Sequence, residues 1–249
     1  MKILFRVLGG LIGLLLLLFA GAYLLYHKPL PQGTPGPEAD RLARKMMAAV
    51  GSNNLDNTAI LTWTFNDSHH YLWDRKRNLV EVSWRDNKVL LNLDEWEKGK
   101  AYEDGKIITD PGELDKQRGK AWEIFCNDTF WFIAPTKAFD EGVERALIKQ
   151  EDGTDALLVT YTSGGVTPGD SYLWLLDESG VPRAFKLWVS VIPIGGVEAT
   201  WEGWKTLKSG LKVPTLHHLG PVPLSISEAA TAPTFKELGR SGDPFAAIL

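Results

Sequence analysis

Two adjacent histidine pairs, His69-His70 and His217-His218, together with the single cysteine, Cys126, are the residues of this 249-residue chain that could suggest a metal site. Metal capture needs three or four such groups converging on one point. Neighbouring residues on a strand point to opposite faces, so each pair offers only one imidazole to any one site. No metal site is expected, and no cofactor. The run Gly164-Gly165-Val166-Thr167-Pro168-Gly169-Asp170 has the glycine content of a phosphate-cradling loop. It lacks the Lys-Ser/Thr pair that such a loop requires, and it lies between two strands with no helix N-terminus behind it. A type II turn with Pro168 second and Gly169 third accounts for it.

Acid–base and nucleophilic chemistry are no easier to place. Asp86, Asp94, Asp104, Asp152, Asp155 and Asp177 fall at turns or strand ends, where aspartate is favoured for local hydrogen bonding. No working carboxylate pair stands out against that background, and Gly-x-Ser-x-Gly does not occur. The chain is therefore expected not to be an enzyme; a hydrolase using an unflagged Ser or Asp is kept as an alternative. The net charge of -4 and pI near 5.8 argue against a nucleic-acid partner, which would need a basic face. With one cysteine there can be no intramolecular disulfide, so stability must come from the core.

The elements that would position any site are clearer. Ala121 to Gly142 (AWEIFCNDTFWFIAPTKAFDEG) places five rings, Trp122, Phe125, Phe130, Trp131 and Phe132, within eleven residues. Their i,i+3 and i,i+4 relations predict a helix with a broad apolar stripe, stopped at Pro135. Burying five such rings is worth on the order of 10 kcal/mol, so the helix needs a large apolar surface to lean on. Alternating segments supply it: Ala59 to Phe65, Val80 to Trp84, Val89 to Leu93, and, after the helix, Val143–Lys149, Asp155 to Thr162, Ser171 to Asp177, Ala184 to Ile192 and Val197 to Leu207. Short Asp-, Asn- and Gly-rich joints make them antiparallel neighbours. A meander of about ten strands is too long to remain flat. The fold class expected is α+β, mainly antiparallel β: a strongly curved incomplete β-barrel with an inserted helix covering or filling its concave face, plus an N-terminal transmembrane helix.

The boundaries follow from composition. Residues 1–28 read as an N-terminal anchor or signal, because Val7 to Tyr26 is a run of 20 uncharged residues, about 30 Å long as a helix. Ala20-Gly21-Ala22 has the form of a cleavage site, but apolarity resumes at Tyr23, which favours an uncleaved anchor. Lys2 and Arg6 ahead of the run put the rest of the chain outside, giving a single-pass protein of a bacterial inner membrane with its C-terminal domain on the periplasmic side. Residues 29–37, with four prolines and two glycines in nine, read as a semi-stiff linker that sets the domain off from the membrane. A helix from Pro37 to Val50 presents Leu42, Met46 and Val50 on one face. The β-domain covers 38–228, and 229–249 is expected to be a loosely ordered tail.

This order of anchor, amphipathic helix, strands, inserted aromatic helix and more strands resembles the LolA/LolB-like superfamily of bacterial envelope lipoprotein carriers over roughly residues 38–228. The segments NDTFWFIAPTKAFDEGV (Asn127 to Val143) and GGVTPGDSYLWLLD (Gly164 to Asp177) look like those of uncharacterised members. The resemblance implies an incomplete barrel that binds a lipid or lipidated protein on its concave face. The function expected is accordingly a membrane-tethered, envelope-facing protein that holds an apolar ligand (lipid, acyl chain or lipidated protein) without bond making. Trp63, Trp84, Trp122, Phe125 and Trp174, on the apolar faces, are the candidate lining. A non-catalytic scaffold docking another envelope protein is the alternative of a different class.

Overall fold

The computed structural model describes residues 2–249; within the first helix the side chains of residues 2–8, 12, 16, 19 and 22 lie outside the description. Four helices, α1 (Lys2–Tyr26), α2 (Pro37–Ala49), α3 (Ser52–Asp56) and α4 (Pro111–Ile133), accompany fifteen strands. A first meander runs β1 (Ile60–Phe65), β2 (His69–Asp74), β3 (Leu79–Trp84), β4 (Asn87–Asn92), β5 (Lys100–Glu103) and β6 (Lys106–Ile107). After α4 come β7 (Val143–Lys149), β8 (Asp155–Tyr161), β9 (Ser171–Leu176), β10 (Pro182–Trp188) and β11 (Val197–Thr200). A small separate ribbon, β12 (Lys205–Thr206) and β13 (Lys212–Val213), precedes β14 (Leu216–Leu219) and β15 (Val222–Ala232).

Thirteen strands form one antiparallel sheet in the order β6-β5-β4-β3-β2-β1-β15-β14-β11-β10-β9-β8-β7. The edges, β6 and β7, do not pair, so the sheet is curved and open and no closed barrel forms among the described residues. Both meanders are local; β15 joins them by pairing with β1, Ile60 opposite Ala232 and Phe65 opposite Ile226. The register shifts between Thr62 and Thr64, and Glu228 beside the shift takes a positive φ of 53°, the mark of a bulge that bends the seam.

In sequence α4 separates the two edge strands, so it returns across the hollow of the sheet. Asp110 starts it by accepting from the Glu113 amide, with Pro111 in the first turn where a missing N–H costs nothing. The helix thus begins ten residues before Ala121. Its buried Ala121, Phe125, Phe132 and Ile133 meet Leu61, Trp63, Val80, Val82, Val89 and Leu91 of the first meander. Beneath α2 lies a second core with Trp174, Phe185, Leu187 and Trp201. The face that α2 buries is Ala39, Ala43, Met46 and, just past its end, Val50, with Leu42 only partly buried. The alanines let the helix sit close to the sheet, which a leucine-led face would hold further off.

Three expectations change. First, residues 29–37 are not a free-standing spacer. Thr34 exchanges both backbone hydrogen bonds with Leu147 on edge strand β7 (2.9 and 2.8 Å), and a Cβ on Gly33 would lie 2.7 Å from the Ala146 Cβ. The segment is extended, as its prolines require, but it lies on the sheet and covers an edge that would otherwise invite pairing. Second, 229–249 is not loose. Residues 229–232 complete β15, and Phe245 and Ile248 are buried against Ile60, Leu72, Leu79 and Leu90 on the convex face. Arg77 fixes the same segment through two bonds to Asp243, at 2.6 and 3.0 Å. Strands of the first meander are therefore apolar on both faces, a pattern that strict alternation does not anticipate. Third, among the described residues no helix is long and apolar enough to cross a membrane. Six of the twenty residues in the expected anchor (7, 8, 12, 16, 19 and 22) have side chains outside that description.

Candidate ligand-binding site

A cavity of about 680 Å³ lies between the C-terminal half of α4 and the sheet. Trp122, Phe125, Phe130 and Trp131 form its roof. The floor comes from Phe65 of β1, Trp73 of β2, Tyr161 of β8, Tyr172 of β9, Leu187 of β10, Leu219 of β14 and Leu224 of β15. Val166, Val189, Val191 and Ile192, from the β8–β9 and β10–β11 connections, stand at its opening. The rings form a continuous cluster of tilted and edge-to-face contacts: Phe130 is 4.4 Å from Tyr172 and 5.8 Å from Tyr161, and Trp131 is 5.4 Å from Phe185. Bulky rings on both walls hold each other apart, so the space persists instead of collapsing.

The helix is pinned to the sheet by one buried polar cluster. Asp128 of α4 accepts from the Tyr71 hydroxyl, from His69 Nδ1 at 2.7 Å and from Asn127 Nδ2 at 2.8 Å. Burial, and then the Asp128 charge, raise Tyr71 far above an ordinary phenol, so it stays a donor. The cluster fixes the height of α4 above β2.

Three further groups on the cavity wall, Cys126, Tyr161 and Tyr172, are likewise held neutral. Burial pushes the Cys126 thiol up to about 12, and Lys137 offsets this only in part. Tyr161 and Tyr172 are raised by burial first and by Asp140 and Asp170 respectively. Such groups cannot ionise at neutral pH, which suits shape recognition and hydrogen bonding more than proton transfer. Two hydroxyls on the wall, Thr129 Oγ1 and Tyr161 OH, are buried with no partner among the described residues. Asp170 is also buried but spends one oxygen on the Ser190 amide at 2.9 Å. The charges cluster at the rim, where Lys137 pairs with Asp140 at 3.0 Å beside Glu141.

Of the five residues expected to line the hollow, the structure brings Trp122 and Phe125 to the cavity. Trp63 is 1% exposed, stacked 4.5 Å from Tyr71 and 4.9 Å from Phe132, and belongs to the core. Trp174 is fully buried, 4.9 Å from Trp201 and 5.1 Å from Phe185. Trp84 borders a separate polar hollow with Asn87, Glu103, Asp115, Lys116 and Glu123. Trp63 and Trp174 lie near mid-strand, under helix, where the space is filled, whereas Trp84 ends β3 beside the N-terminal half of α4, away from the cavity. Phe130 and Trp131 belong to the same aromatic helix and carried the signal that Trp63 and Trp174 did not. Tyr161 is on the inward alternation Leu157, Val159, Tyr161 of β8.

The histidines separate as the strand argument predicts. His69 meets Asp128, while His70 bonds Thr64 at 2.9 Å on the opposite side. His217 is fully buried and donates to the Thr200 carbonyl at 2.9 Å, while His218 faces Glu202 at 3.3 Å. Among the described residues no group of three His, Cys, Asp or Glu could hold a metal ion. The 164–170 loop is a turn, with Gly169 at φ 103° and the Asp170 amide reaching back to the Thr167 carbonyl.

No family model matches the sequence, and neither does any curated protein. Among solved structures, the chain is similar to the crystal structure of a DUF1329 family protein from Desulfovibrio piger. The match has a TM-score of 0.42 and 9% identity, covers 85% of this chain and 99% of the other, and is too distant to carry any inference about activity.

Proposed function

We propose that the chain is a membrane-tethered, envelope-facing protein that holds an apolar ligand, an acyl chain or a lipid or lipidated protein bearing one, beneath α4. The observation that carries this reading is the 680 Å³ cavity with its aromatic roof and its floor of aromatic and aliphatic side chains, within the range of roughly 300–1,000 Å³ common to small-molecule sites. Each methylene withdrawn from water there contributes about 0.8 kcal/mol, so a chain of a dozen carbons gains enough to outweigh the cost of ordering it. Cys126, Tyr161 and Tyr172 on the cavity walls stay neutral, which favours binding over bond making. The tether is supported by the uncharged run Val7 to Tyr26 and by Leu14, Leu17, Leu18, Leu24 and Leu25, all more than half exposed on α1. A periplasmic placement of the domain is supported by Lys2 and Arg6 ahead of that run. We also propose the chain as a LolA/LolB-like relative, on the order of its elements.

The test is native mass spectrometry, without detergent, of a chain beginning at His27, followed by displacement with a fluorescent fatty acid. A defined lipid adduct that the fatty acid displaces is expected. A protein free of lipid that also fails to bind the probe would overturn the reading in favour of a filled, scaffold-like interior.

A further inference from the structure

The segment that leaves α1 is fastened to the opening of the cavity. His27 continues the helix, bonding the Tyr23 carbonyl at 2.9 Å and stacking on the Tyr23 ring at 4.4 Å. Its Nδ1 accepts from the Gly195 amide at 3.0 Å, the Lys28 amide donates to the Gly195 carbonyl at 2.9 Å, and Trp188 Nε1 donates to the Lys28 carbonyl at 2.7 Å. A Cβ on Gly195 would come within 2.9 Å of that carbonyl, and one on Gly196, at φ 80°, within 2.8 Å of the Lys28 Cβ, so the glycines permit the contact. The β10–β11 connection held in this way is the one whose Val191 and Ile192 stand at the cavity opening. No slack separates the end of α1 from the mouth.

Charge is distributed accordingly. In the second half of the sheet, three connections at the cavity end, with the strand ends beside them, are uncharged: residues 163–169, 187–197 and 219–227; the fourth, 137–142 leading into β7, carries Lys137, Asp140 and Glu141. The three uncharged tips expose Val166 (43%), Val191 (74%) and Val222 (51%). At the opposite end the corresponding turns carry Lys149, Glu151, Asp152 and Asp155, and Asp177 with Glu178. Three neighbouring uncharged tips with exposed valines suit a lipid surface, which penalises charge there, and the charged 137–142 connection suits the level of the headgroups.

We propose that the cavity mouth rests directly on the bilayer that α1 enters, with the 163–169, 187–197 and 219–222 tips in the boundary between headgroups and acyl chains. A ligand then passes from the membrane into the cavity without crossing water. The proposal rests on the tether and apolar-ligand readings above. It adds to them an orientation and a source of ligand, the surrounding phospholipid.

The experiment uses the full chain in phosphatidylethanolamine/phosphatidylglycerol vesicles, with Cys126→Ser removing the sole native thiol. A nitroxide is attached in turn at Leu15→Cys, Val191→Cys, Val222→Cys and Ser179→Cys, and its collisions with lipid-soluble oxygen and an aqueous nickel complex are compared. Labels at 191 and 222 are expected about 5–10 Å below the phosphates, the label at 15 deeper, and that at 179 in water. If 15 lies in lipid while 191 and 222 are as water-accessible as 179, the docking is wrong and the tether stands. If 15 itself lies in water, tether and docking fall together. Lipid retention by the chain beginning at His27 is measured separately, so failure of the ligand reading is seen independently of either result.

Discussion

Lowering the pH from 7 to 4 is expected to destabilise the fold through His217. Its ring has no exposed surface, lies 4.5 Å from Trp201 and 5.2 Å from Trp131, and donates to the Thr200 carbonyl. Burial lowers its pKa from 6.5 to about 4, against smaller opposing contributions from the Thr200 and Trp131 carbonyls. Between those two values the unfolded chain takes up a proton that the folded chain refuses. Stability from this group is therefore complete above pH 6.5, falls as pH falls and reaches its floor below about 4. At about 1.36 kcal/mol per pH unit the interval is worth roughly 3 kcal/mol, a large part of an ordinary domain's stability. The measurement is urea unfolding by circular dichroism at pH 7, 6, 5 and 4, on the chain from His27 and on its His217→Phe variant. Phenylalanine keeps most of the volume but cannot titrate, and it strands the Thr200 carbonyl at a cost of about 1 kcal/mol at every pH. Other groups titrate equally in both proteins, so the wild type should lose about 3 kcal/mol more than the variant between pH 7 and pH 4. Parallel pH profiles would refute the argument, because they would mean that His217 accepts its proton in the folded state.

Asp128→Ala strands the Tyr71 hydroxyl and the His69 N–H under α4 and should cost about 3 kcal/mol, against about 1 for Tyr71→Phe. In a double-mutant cycle by thermal melts the two should be clearly less than additive; additive losses would mean that the cluster does not pin the helix. Val189→Trp puts a ring into space that is empty, so it should lower lipid retention several-fold in native mass spectrometry while changing stability by less than about 1.5 kcal/mol. Undiminished retention would place the ligand elsewhere. With its thiol held up to about 12 against an ordinary 9.0, Cys126 should carry roughly a thousandfold less thiolate than in the unfolded chain and alkylate correspondingly slowly with iodoacetamide at pH 8.

How much of this was legible in the sequence differs between elements for physical reasons. The aromatic helix announced itself because five rings at helical spacing need a partner surface, and Pro135 marked its end. The strands around Trp63, Val82 and Leu91 were visible from period-two alternation. Strand β2, carrying His69 and His70, was less so, since its polar start and its buried Leu72 and Asp74 blur the alternation. What could not be read was which inward positions border empty space. That depends on the height and tilt of α4, set by the long-range contact of Asp128 with Tyr71, and no local pattern encodes it. The docking of residues 27–34 was equally hidden, because Pro/Gly composition fixes extension but not adhesion. Phe245 and Ile248 were too sparse to signal the packed C-terminal segment, although they bury as fully as any strand residue.

The seam between β1 and β15 also governs the order in which the molecule can be assembled. Each meander consists of contacts close in sequence and can form quickly, but Ile60 must find Ala232 across about 170 residues, a search that slows folding far more than local pairing does. During synthesis the first meander leaves the ribosome with β1 as a bare edge and must wait for the last strand of the sheet to be made. A chain cut short near residue 221 would hold two half-sheets, each with an open edge facing the other's missing partner. Early termination would thus produce pairs of such fragments joined edge to edge, and the making of β15 is the step that lets the two half-sheets close on each other.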